Sequence, residues 1–215
     1  MLHDKKTKVK KMIFNFDEKY ILENTIVRLQ PLEISDFKFL LEYSENEPEI
    51  WEFNSKGANG KENLEKYISN AITNRENQKD YPFIVFDKMQ NKYVGSTRFY
   101  EIQIQNKTLD IGFTWYGKQS QGTKVNKNCK LLMLEFAFDK MEMERVGFGA
   151  NSKNLRSINA MKSIGCVVEG LLRNCSTDAN GDRIDAIKLS ILKNEWEQNI
   201  QHNLKKQATT FANPQ

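Results

Sequence analysis

Apolar and polar positions follow two different periods in the first half of the chain. Residues 25–32, "TIVRLQPL", alternate as a half-buried strand does, and residues 34–44 follow behind a Ser-Asp pair that can cap a helix. A second helix is predicted over residues 61–76, with one apolar face made by Leu64, Tyr67, Ile68, Ala71 and Ile72. Segments rich in β-branched and aromatic residues then predict an antiparallel meander over 81–87, 92–105 and 108–116.

The second half of the chain alternates helices and strands. A helix is predicted from about Val125, and its nearly all-round apolar surface indicates burial. A strand is expected over 144–151, a short helix ending at Gly165, and two closing strands over 166–176 and 184–192. Because strand–helix–strand order implies parallel pairing, we expect an α/β (α+β) fold with a single mixed, mostly antiparallel sheet of about seven strands and helices on both faces.

Length and composition favour one globular domain. The chain has 215 residues, of which 39% are hydrophobic and 28% charged, as in ordinary globular proteins. We expect a basic N-terminal arm over 1–19, the domain over 20–198 and a polar tail over 199–215. No apolar run approaches the ~20 residues that cross a bilayer, and the basic start lacks the apolar core of a secretion signal. No membrane partner is therefore expected.

Cysteine, histidine and charge exclude several functions. Three cysteines without a C-x-x-C pair indicate neither a disulfide framework nor a zinc site, which fits the cytoplasm. The two histidines, His3 and His202, lie near the chain ends, which argues against a Ser-His-Asp triad or a His-ligated catalytic metal. We expect no metal. The net charge of +4 is modest, so the lysine-rich arm is interpreted as solvated, with nucleic-acid or ribosome binding the weaker alternative.

The stretch "YGKQSQGTKVN" at residues 116–126 has the glycine spacing of a phosphate-binding P-loop. That motif requires lysine and then a hydroxyl residue after the second glycine, whereas Thr123 precedes Lys124 here. A nucleotide P-loop is therefore disfavoured.

The same stretch suits an anion for a simpler reason. If the helix begins near Val125, its first amides are unpaired and partly positive, Gly122 permits close backbone approach, and Lys124 adds charge. Ligands of mixed α/β sheets gather where a strand's carboxyl end meets a helix N-terminus. A pyrophosphate would fit, although a plain strand-to-helix turn has the same glycine.

Residues 109–174 strongly resemble the GNAT superfamily of acetyl-CoA-dependent N-acetyltransferases, particularly the ribosomal-protein alanine N-acetyltransferase branch, and the resemblance extends over 27–192. It implies the GNAT fold and acetyl-CoA as co-substrate. The family's Q/R-x-x-G-x-G/A pattern wraps the pyrophosphate of coenzyme A. Its positions, and the helix start after them, hold Gln119, Gln121, Gly122, Thr123, Lys124, Val125 and Asn126. Lysine stands where glycine or alanine is usual, so Lys124 must avoid positive φ and point outward.

The resemblance also assigns residues to the pantetheine arm. It implies that the strand "DIGFTWY" pairs with the arm and places Phe113, Thr114 and Trp115 beside it, although core packing explains the two aromatic residues equally well. In the family an asparagine at the position of Asn154 binds the pantetheine side, and its helix flanks the thioester. Without the resemblance, Asn154 would be a helix cap.

Acetyl transfer requires a proton for the departing thiolate. Many relatives place a tyrosine acid where this chain has Met161, which cannot donate a proton. Ser157 resembles the serine that the ribosomal branch uses, so it is the candidate acid, and amides near Phe113 and Thr114 can polarise the carbonyl.

The base is less defined, because the ribosomal branch's glutamate aligns with Ser176. Asp110 and Glu101 are the candidate bases, with Glu169 behind them, and each could instead be an ordinary solvated or paired strand residue. An α-amine with a pKa near ~8 needs no strong base.

We therefore expect an N-acetyltransferase that acts by direct transfer on a protein N-terminus or a small amine, as a monomer or homodimer. The alternative is a catalytically impaired GNAT-fold module that binds coenzyme A for regulation or interaction. The acceptor groove is expected at residues 42–60, where Trp51 and Phe53 could line it. Its acidic residues, which could attract a cationic amine, are Glu45, Glu47, Glu49 and Glu52.

Overall fold

An eight-stranded mixed sheet organises the residues that the structure, a computed structural model, describes: 14–53, 57–178 and 181–209. The strands are β1 (Leu22–Glu23), β2 (Val27–Pro31), β3 (Tyr81–Asp87), β4 (Lys92–Gln103), β5 (Thr108–Tyr116), β6 (Arg145–Asn151), β7 (Val167–Thr177) and β8 (Arg183–Leu192). Their order in the sheet is β1-β2-β3-β4-β5-β6-β8-β7. The predicted mixed, mostly antiparallel sheet is confirmed, with a short β1 that the sequence pattern did not reveal.

The pair β5–β6 is parallel, whereas the other recorded pairs are antiparallel. Its register joins Thr108–Asp110 to Arg145–Gly147 and continues no further. Residues 111–116 of β5 and 148–151 of β6 therefore face a gap in the sheet. This gap positions the candidate site.

Helices cover both faces of the sheet, as expected. They are α1 (Phe37–Asn46), α2 (Lys61–Glu76), α3 (Val125–Glu135), α4 (Leu155–Ser163), α5 (Lys193–Glu195) and α6 (Gln201–Thr209), with π-helical segments at Phe136–Lys140 and Trp196–Ile200. Ile84 of β3 packs in one core with α1 and α2, while its neighbours Phe83 and Val85 pack in the other core with α3, α4 and α6. This division follows from the alternation of side chains along a strand. No helix in the described residues is long and apolar enough to cross a membrane.

The C-terminal end differs from the polar tail expected over 199–215. Residues Gln201–Thr209 form α6, which packs against α3 through buried Leu204 and Ala208. Trp196 is fully buried and stacks on Phe138 at 5.5 Å between ring centroids. With so few apolar positions in a polar segment, this helix depends on tertiary packing and leaves a weak sequence signal.

The N-terminal boundary also differs from the expectation. Phe14, placed in the arm over 1–19, is buried and lies 5.3 Å from the Tyr20 ring and 5.5 Å from the Tyr81 ring. The core therefore includes the last residues of that segment. The lysines of the arm that carried the nucleic-acid alternative lie in residues 1–13, outside the described residues.

Candidate active site

A cavity of about 430 Å³ lies where β5 and β6 separate. Its walls are β5 from residue 111 to 116, β6 from residue 148 to 151, and residues of α3 and α4, and it is also lined by Ile50 and Phe53. A strand's carboxyl end and a helix N-terminus thus meet at one cavity, which is where α/β proteins bind ligands.

One end of the cavity is made by the backbone before α3. Gly122 adopts φ +72° with open space where a side chain would begin, a conformation that favours glycine. The Thr123 hydroxyl donates to the carbonyl of Ser120 at 2.7 Å and accepts the N–H of Val125 at 3.3 Å, which fixes the entry to the helix. The first-turn amides of α3 have no intrahelical acceptors, so this end presents partial positive charge.

Lys124 adopts φ −72°, and its ammonium donates to the Thr209 carbonyl at 3.0 Å, outside the cavity. Its negative φ and outward side chain agree with the expectation for a lysine at this position. Gln119 instead lines a separate, smaller pocket of about 170 Å³ with Glu47 and Lys92. Of the residues assigned to the pyrophosphate loop and helix start, those lining the cavity are Gln121, Gly122 and Asn126, and those outside it are Gln119, Thr123, Lys124 and Val125.

Arg156 adds a positive charge that the sequence analysis did not single out. It lies on α4, lines the cavity and donates to the side-chain oxygen of Gln121. The Gln121 amide donates in turn to the Tyr116 carbonyl at 2.8 Å. These hydrogen bonds connect α4 to the loop before α3, so the Arg156 guanidinium lies near the N-terminus of α3.

A bulge in β5 shapes the other end of the cavity. Phe113 adopts φ +50°, and the β4–β5 register shifts at this point. The Phe113 carbonyl accepts from the Tyr67 hydroxyl at 3.3 Å, and the Arg98 guanidinium lies 4.1 Å from the Phe113 ring centroid. A positive φ at a non-glycine residue costs free energy and persists only when its surroundings impose it. Such a bulge re-aims the backbone groups of Gly112–Thr114.

The support for this bulge includes a buried ion pair. Arg98 donates to Asp80 at 3.0 Å, and their side chains are only 4% and 9% exposed. The Asn74 amide donates to the same carboxylate oxygen at 2.9 Å. Because the guanidinium also contacts the Phe113 ring, the pair connects the start of β3 to the cavity wall.

The α4 end of the cavity contains the candidate acid. Asn154 caps α4 by accepting the Ser157 N–H at 3.0 Å, so its side-chain oxygen serves as a helix cap. Asn154, Ser157 and Met161 all line the cavity. The structure thus brings the Ser157 side chain to the same cavity as Phe113, Thr114 and Trp115.

The candidate bases lie elsewhere. Asp110 forms ion pairs with Arg145 at 3.7 Å and Lys188 at 3.4 Å, and Glu101 is exposed at a second irregularity in β4. Glu169 pairs with Arg145 at 2.6 Å, and this contact lowers its pKa. None of the three lines the cavity, and no carboxylate does so among the described residues. Asp110 and Glu169 thus have structural ion-pair partners, because Arg145 on β6 pairs with both and Lys188 on β8 pairs with Asp110.

Lys130 is a second functional candidate that the sequence analysis missed. It lies on α3, is 5% exposed and lines the cavity, and its ammonium donates to the Thr114 hydroxyl at 2.8 Å. Burial lowers its pKa to about 8. A signal was available, because a lysine inside the apolar run "CKLLMLEFAF" is expected to be buried.

Several residues of the predicted acceptor loop, 42–60, make contacts within the protein. Trp51 is a buried core residue, whereas Phe53 lines the cavity. Glu47 accepts the Lys118 N–H at 2.7 Å, and Glu49 pairs with the Lys118 ammonium at 2.8 Å. Two of the four acidic residues thus hold the loop before α3, while Glu45 and Glu52 remain exposed.

A helix N-terminus, the Arg156 guanidinium and a strand edge unpaired toward β6 thus border one cavity. Residues 27–167 match the family described as "Acetyltransferase (GNAT) domain", so the chain belongs to the GNAT acetyltransferases. It is an acetyltransferase of a family that uses acetyl-CoA.

Named proteins agree with this assignment. YjcK of Bacillus subtilis (strain 168), named a probable N-acetyltransferase, is 25% identical over 184 residues, 83% of this chain and 100% of YjcK. YdaF of the same organism, named provisionally as a ribosomal N-acetyltransferase, is 28% identical over 103 residues, 48% of this chain and 55% of YdaF. A GCN5-related N-acetyltransferase structure from Brucella melitensis shares the fold, with a TM-score of 0.82 at 21% identity over 91% of this chain and 88% of that one.

Proposed function

We propose that this acetyltransferase transfers the acetyl group of acetyl-CoA directly to a primary amine, either a protein N-terminus or a small amine. The observation that carries the proposal is one continuous cavity, which joins the N-terminus of α3 to the bulge at Phe113 and to Ser157. Direct transfer fits because both the anion-binding end and the candidate proton donor reach the same space.

The cavity residues fit coenzyme A. The backbone amides of Gly122 and Asn126, which line the cavity, would hold the pyrophosphate with help from Arg156, because helix N-termini and guanidinium groups both favour phosphate. The edge of β5 between residues 111 and 116 lacks a strand partner toward β6, so its amides and carbonyls can pair with the pantetheine arm. Bound acetyl-CoA would supply an activated acyl group at the bulge.

Two groups of this chain suit the chemistry at that point. Amides at the bulge beside Phe113 and Thr114 can donate to the carbonyl oxygen, and the Ser157 hydroxyl is the candidate donor to the departing sulfur. Asp110 and Glu101 gain no support as bases from their positions. An α-amine with a pKa near ~8 is partly neutral at neutral pH and can attack without them.

The proposal also covers the class of acceptor, the cellular compartment and the oligomeric state of the protein. The similarity to YdaF, named provisionally as a ribosomal N-acetyltransferase, favours a protein acceptor over a small amine, and we propose its N-terminal amine. The free cysteines Cys129, Cys166 and Cys175 favour the reducing cytoplasm. We propose a monomer or homodimer in that compartment.

Calorimetry with acetyl-CoA, coenzyme A and ATP–Mg²⁺ tests the proposal on the purified full chain. We expect acetyl-CoA and coenzyme A to bind and ATP–Mg²⁺ not to bind. A thiol-release assay with a panel of amines and N-terminal peptides then identifies the acceptor. Failure of both coenzyme A ligands to bind would overturn the proposal.

Two observations favour a second candidate, a coenzyme A-binding module without turnover. No carboxylate lines the cavity among the described residues, and Met161 stands where a tyrosine acid is usual in relatives. Tight acetyl-CoA binding with no thiol release for any amine in the panel would support this candidate over the enzyme.

A further inference from the structure

Lys130 carries a buried charge that the fold does not neutralise. It lies in the middle of α3, and none of the carboxylates in the described part of the chain forms an ion pair with it. Thr114 accepts one of its three N–H groups, and the structure records no acceptor for the other two among the same residues. Burying an ammonium group without a counterion costs free energy, so a purely structural role does not explain it.

The surroundings of the ammonium fix its position in the gap between the strands. The Thr114 hydroxyl that accepts from Lys130 lies 2.7 Å from the Thr97 hydroxyl on β4, and Phe148 of β6 places its ring centroid 5.9 Å from the ammonium. Lys130 therefore lies between β5 and β6, next to the strand position that follows the strained Phe113. A thioester held against the bulge would lie beside it.

We propose that Lys130 is a catalytic residue, which stabilises the departing sulfur of the acyl donor with its positive charge and gives it a proton. The inference rests on the proposed function and deepens it. It assigns to Lys130 the proton donation for which Ser157 was the candidate.

The proton balance is simple. The amine lone pair forms the C–N bond to the carbonyl carbon as the C–S bond breaks and its electron pair moves to sulfur. Lys130 transfers one proton from its ammonium nitrogen to that sulfur and later regains one from solvent. The acylated nitrogen releases its surplus proton to solvent. Amine and thioester thus give amide and thiol, without an oxidant or a metal.

The titration of Lys130 suits this step. Its pKa of about 8 lies close to the ~8.5 of an ordinary thiol, so a proton passes between the two groups at little cost. The titratable groups that act on it electrostatically are the buried thiols Cys129 and Cys166, whose pKa values are raised by burial. The thiols are therefore neutral around neutral pH, whereas the pKa of Lys130 lies near that range, so Lys130 changes its charge there and the thiols do not.

The test is the thiol pKa of coenzyme A bound to the protein, followed by the ultraviolet absorbance of the thiolate. We expect the wild type to lower this pKa by about one unit relative to free coenzyme A, because a nearby cation favours the thiolate. Lys130→Met, which has a similar volume, should abolish the shift while acetyl-CoA affinity stays within about threefold. Lys140→Met, at an exposed position after α3, is the matched control and should retain the full shift.

The rate of acetyl transfer provides a second readout, measured with the acceptor amine that the thiol-release assay identifies. Lys130→Met should lower kcat by at least about a hundredfold, since a positioned acid contributes on that scale. In the wild type, kcat should fall as the pH rises through about 8, where the ammonium form disappears. Lys130→Arg keeps the charge, but a guanidinium is too weak an acid to give up a proton in this pH range, so the variant should retain the thiol shift and lose this descending limb.

The outcomes separate the two proposals. If coenzyme A fails to bind the wild type, both are overturned. If it binds but its thiol pKa is the same in wild type and Lys130→Met, the Lys130 proposal alone is overturned. A Ser157→Ala variant that loses activity while Lys130→Met retains it would return the acid role to Ser157.

Discussion

The two ends of the cavity differ in the groups that form them: mainly backbone groups at the loop end, beside Gly122, and mainly side chains at the reacting end, beside Lys130 and Ser157. At the loop end, the expected contacts come from the backbone of Gly122 and the first turn of α3, and the side chains of Thr123 and Lys124 are directed to other partners. At the reacting end, side chains from several elements converge, among them Lys130 from α3 and Ser157 from α4. Backbone sites depend on local conformation, whereas the reacting end depends on packing between distant segments.

This difference predicts which substitutions each end tolerates. Side chains around the loop can change as long as the glycine conformation and the helix start persist. The reacting end instead depends on buried charges and a strained strand position, so a single substitution there should disturb more of its neighbours and lower stability more. The predictions below separate the two ends.

The largest effect is expected for Asp80→Asn at the reacting end. The change leaves the Arg98 guanidinium buried without its counterion, which should cost about 3 kcal/mol of unfolding free energy in urea titrations. Glu33→Gln, which removes an exposed partner of Lys19, is the matched control and should leave the urea midpoint nearly unchanged. Equal stability of the two variants would contradict a supporting role for the buried pair.

A comparably large effect is expected at the loop end for Gly122→Glu. The substitution forces a side chain into φ +72° and puts a carboxylate beside the pyrophosphate, so the acetyl-CoA Kd should rise about a hundredfold, or about 2.7 kcal/mol. Gly181→Glu is the control, because Gly181 also has positive φ and open space but lies in the β7–β8 connection. If both variants bind acetyl-CoA like the wild type, the loop does not hold the ligand.

A smaller effect distinguishes two positive side chains near the loop. Arg156 lines the cavity, so Arg156→Ala should weaken acetyl-CoA binding about tenfold in calorimetry. Lys124 bonds to Thr209 outside it, so Lys124→Ala should change the Kd by about twofold or less. The reverse order would mean that the lysine side chain turns toward the ligand.

The smallest effect concerns the acceptor. Glu45 and Glu52 are exposed acidic residues of the predicted groove for which no ion pair is recorded among the described residues, and the double variant Glu45→Gln/Glu52→Gln should raise the KM for a cationic amine about threefold at low salt. The acetyl-CoA Kd should not change. An unaltered KM at low ionic strength would remove the acidic-groove hypothesis.

Most of the fold could be predicted from local periodicity. The helix at Lys61–Glu76 and the strands at Tyr81–Asp87 and Thr108–Tyr116 agree with the sequence prediction at both ends, because their apolar patterns are long and bounded by turn residues. The helix Gln201–Thr209 was missed, since it is held mainly by Leu204 and Ala208 against α3.

The site likewise has some features that local sequence predicts and others that depend on distant residues. The loop at Gly122 has a local signature, because a turn with positive φ before a helix leaves glycine in the sequence. The cavity position of Lys130 and the ion pairing of Asp110 depend on neighbours from other strands and helices. Sequence alone left Asp110 open as either a base or an ordinary paired strand residue, and its ion pairs and its place outside the cavity support the paired role.

A crystal structure of the protein with coenzyme A is the most direct test of the account. It should show the pyrophosphate against the amides of Gly122 and Asn126 and the sulfur in the gap between β5 and β6, within reach of the Lys130 ammonium. Coenzyme A bound instead in the smaller pocket beside Gln119, or a sulfur remote from Lys130, would contradict the account.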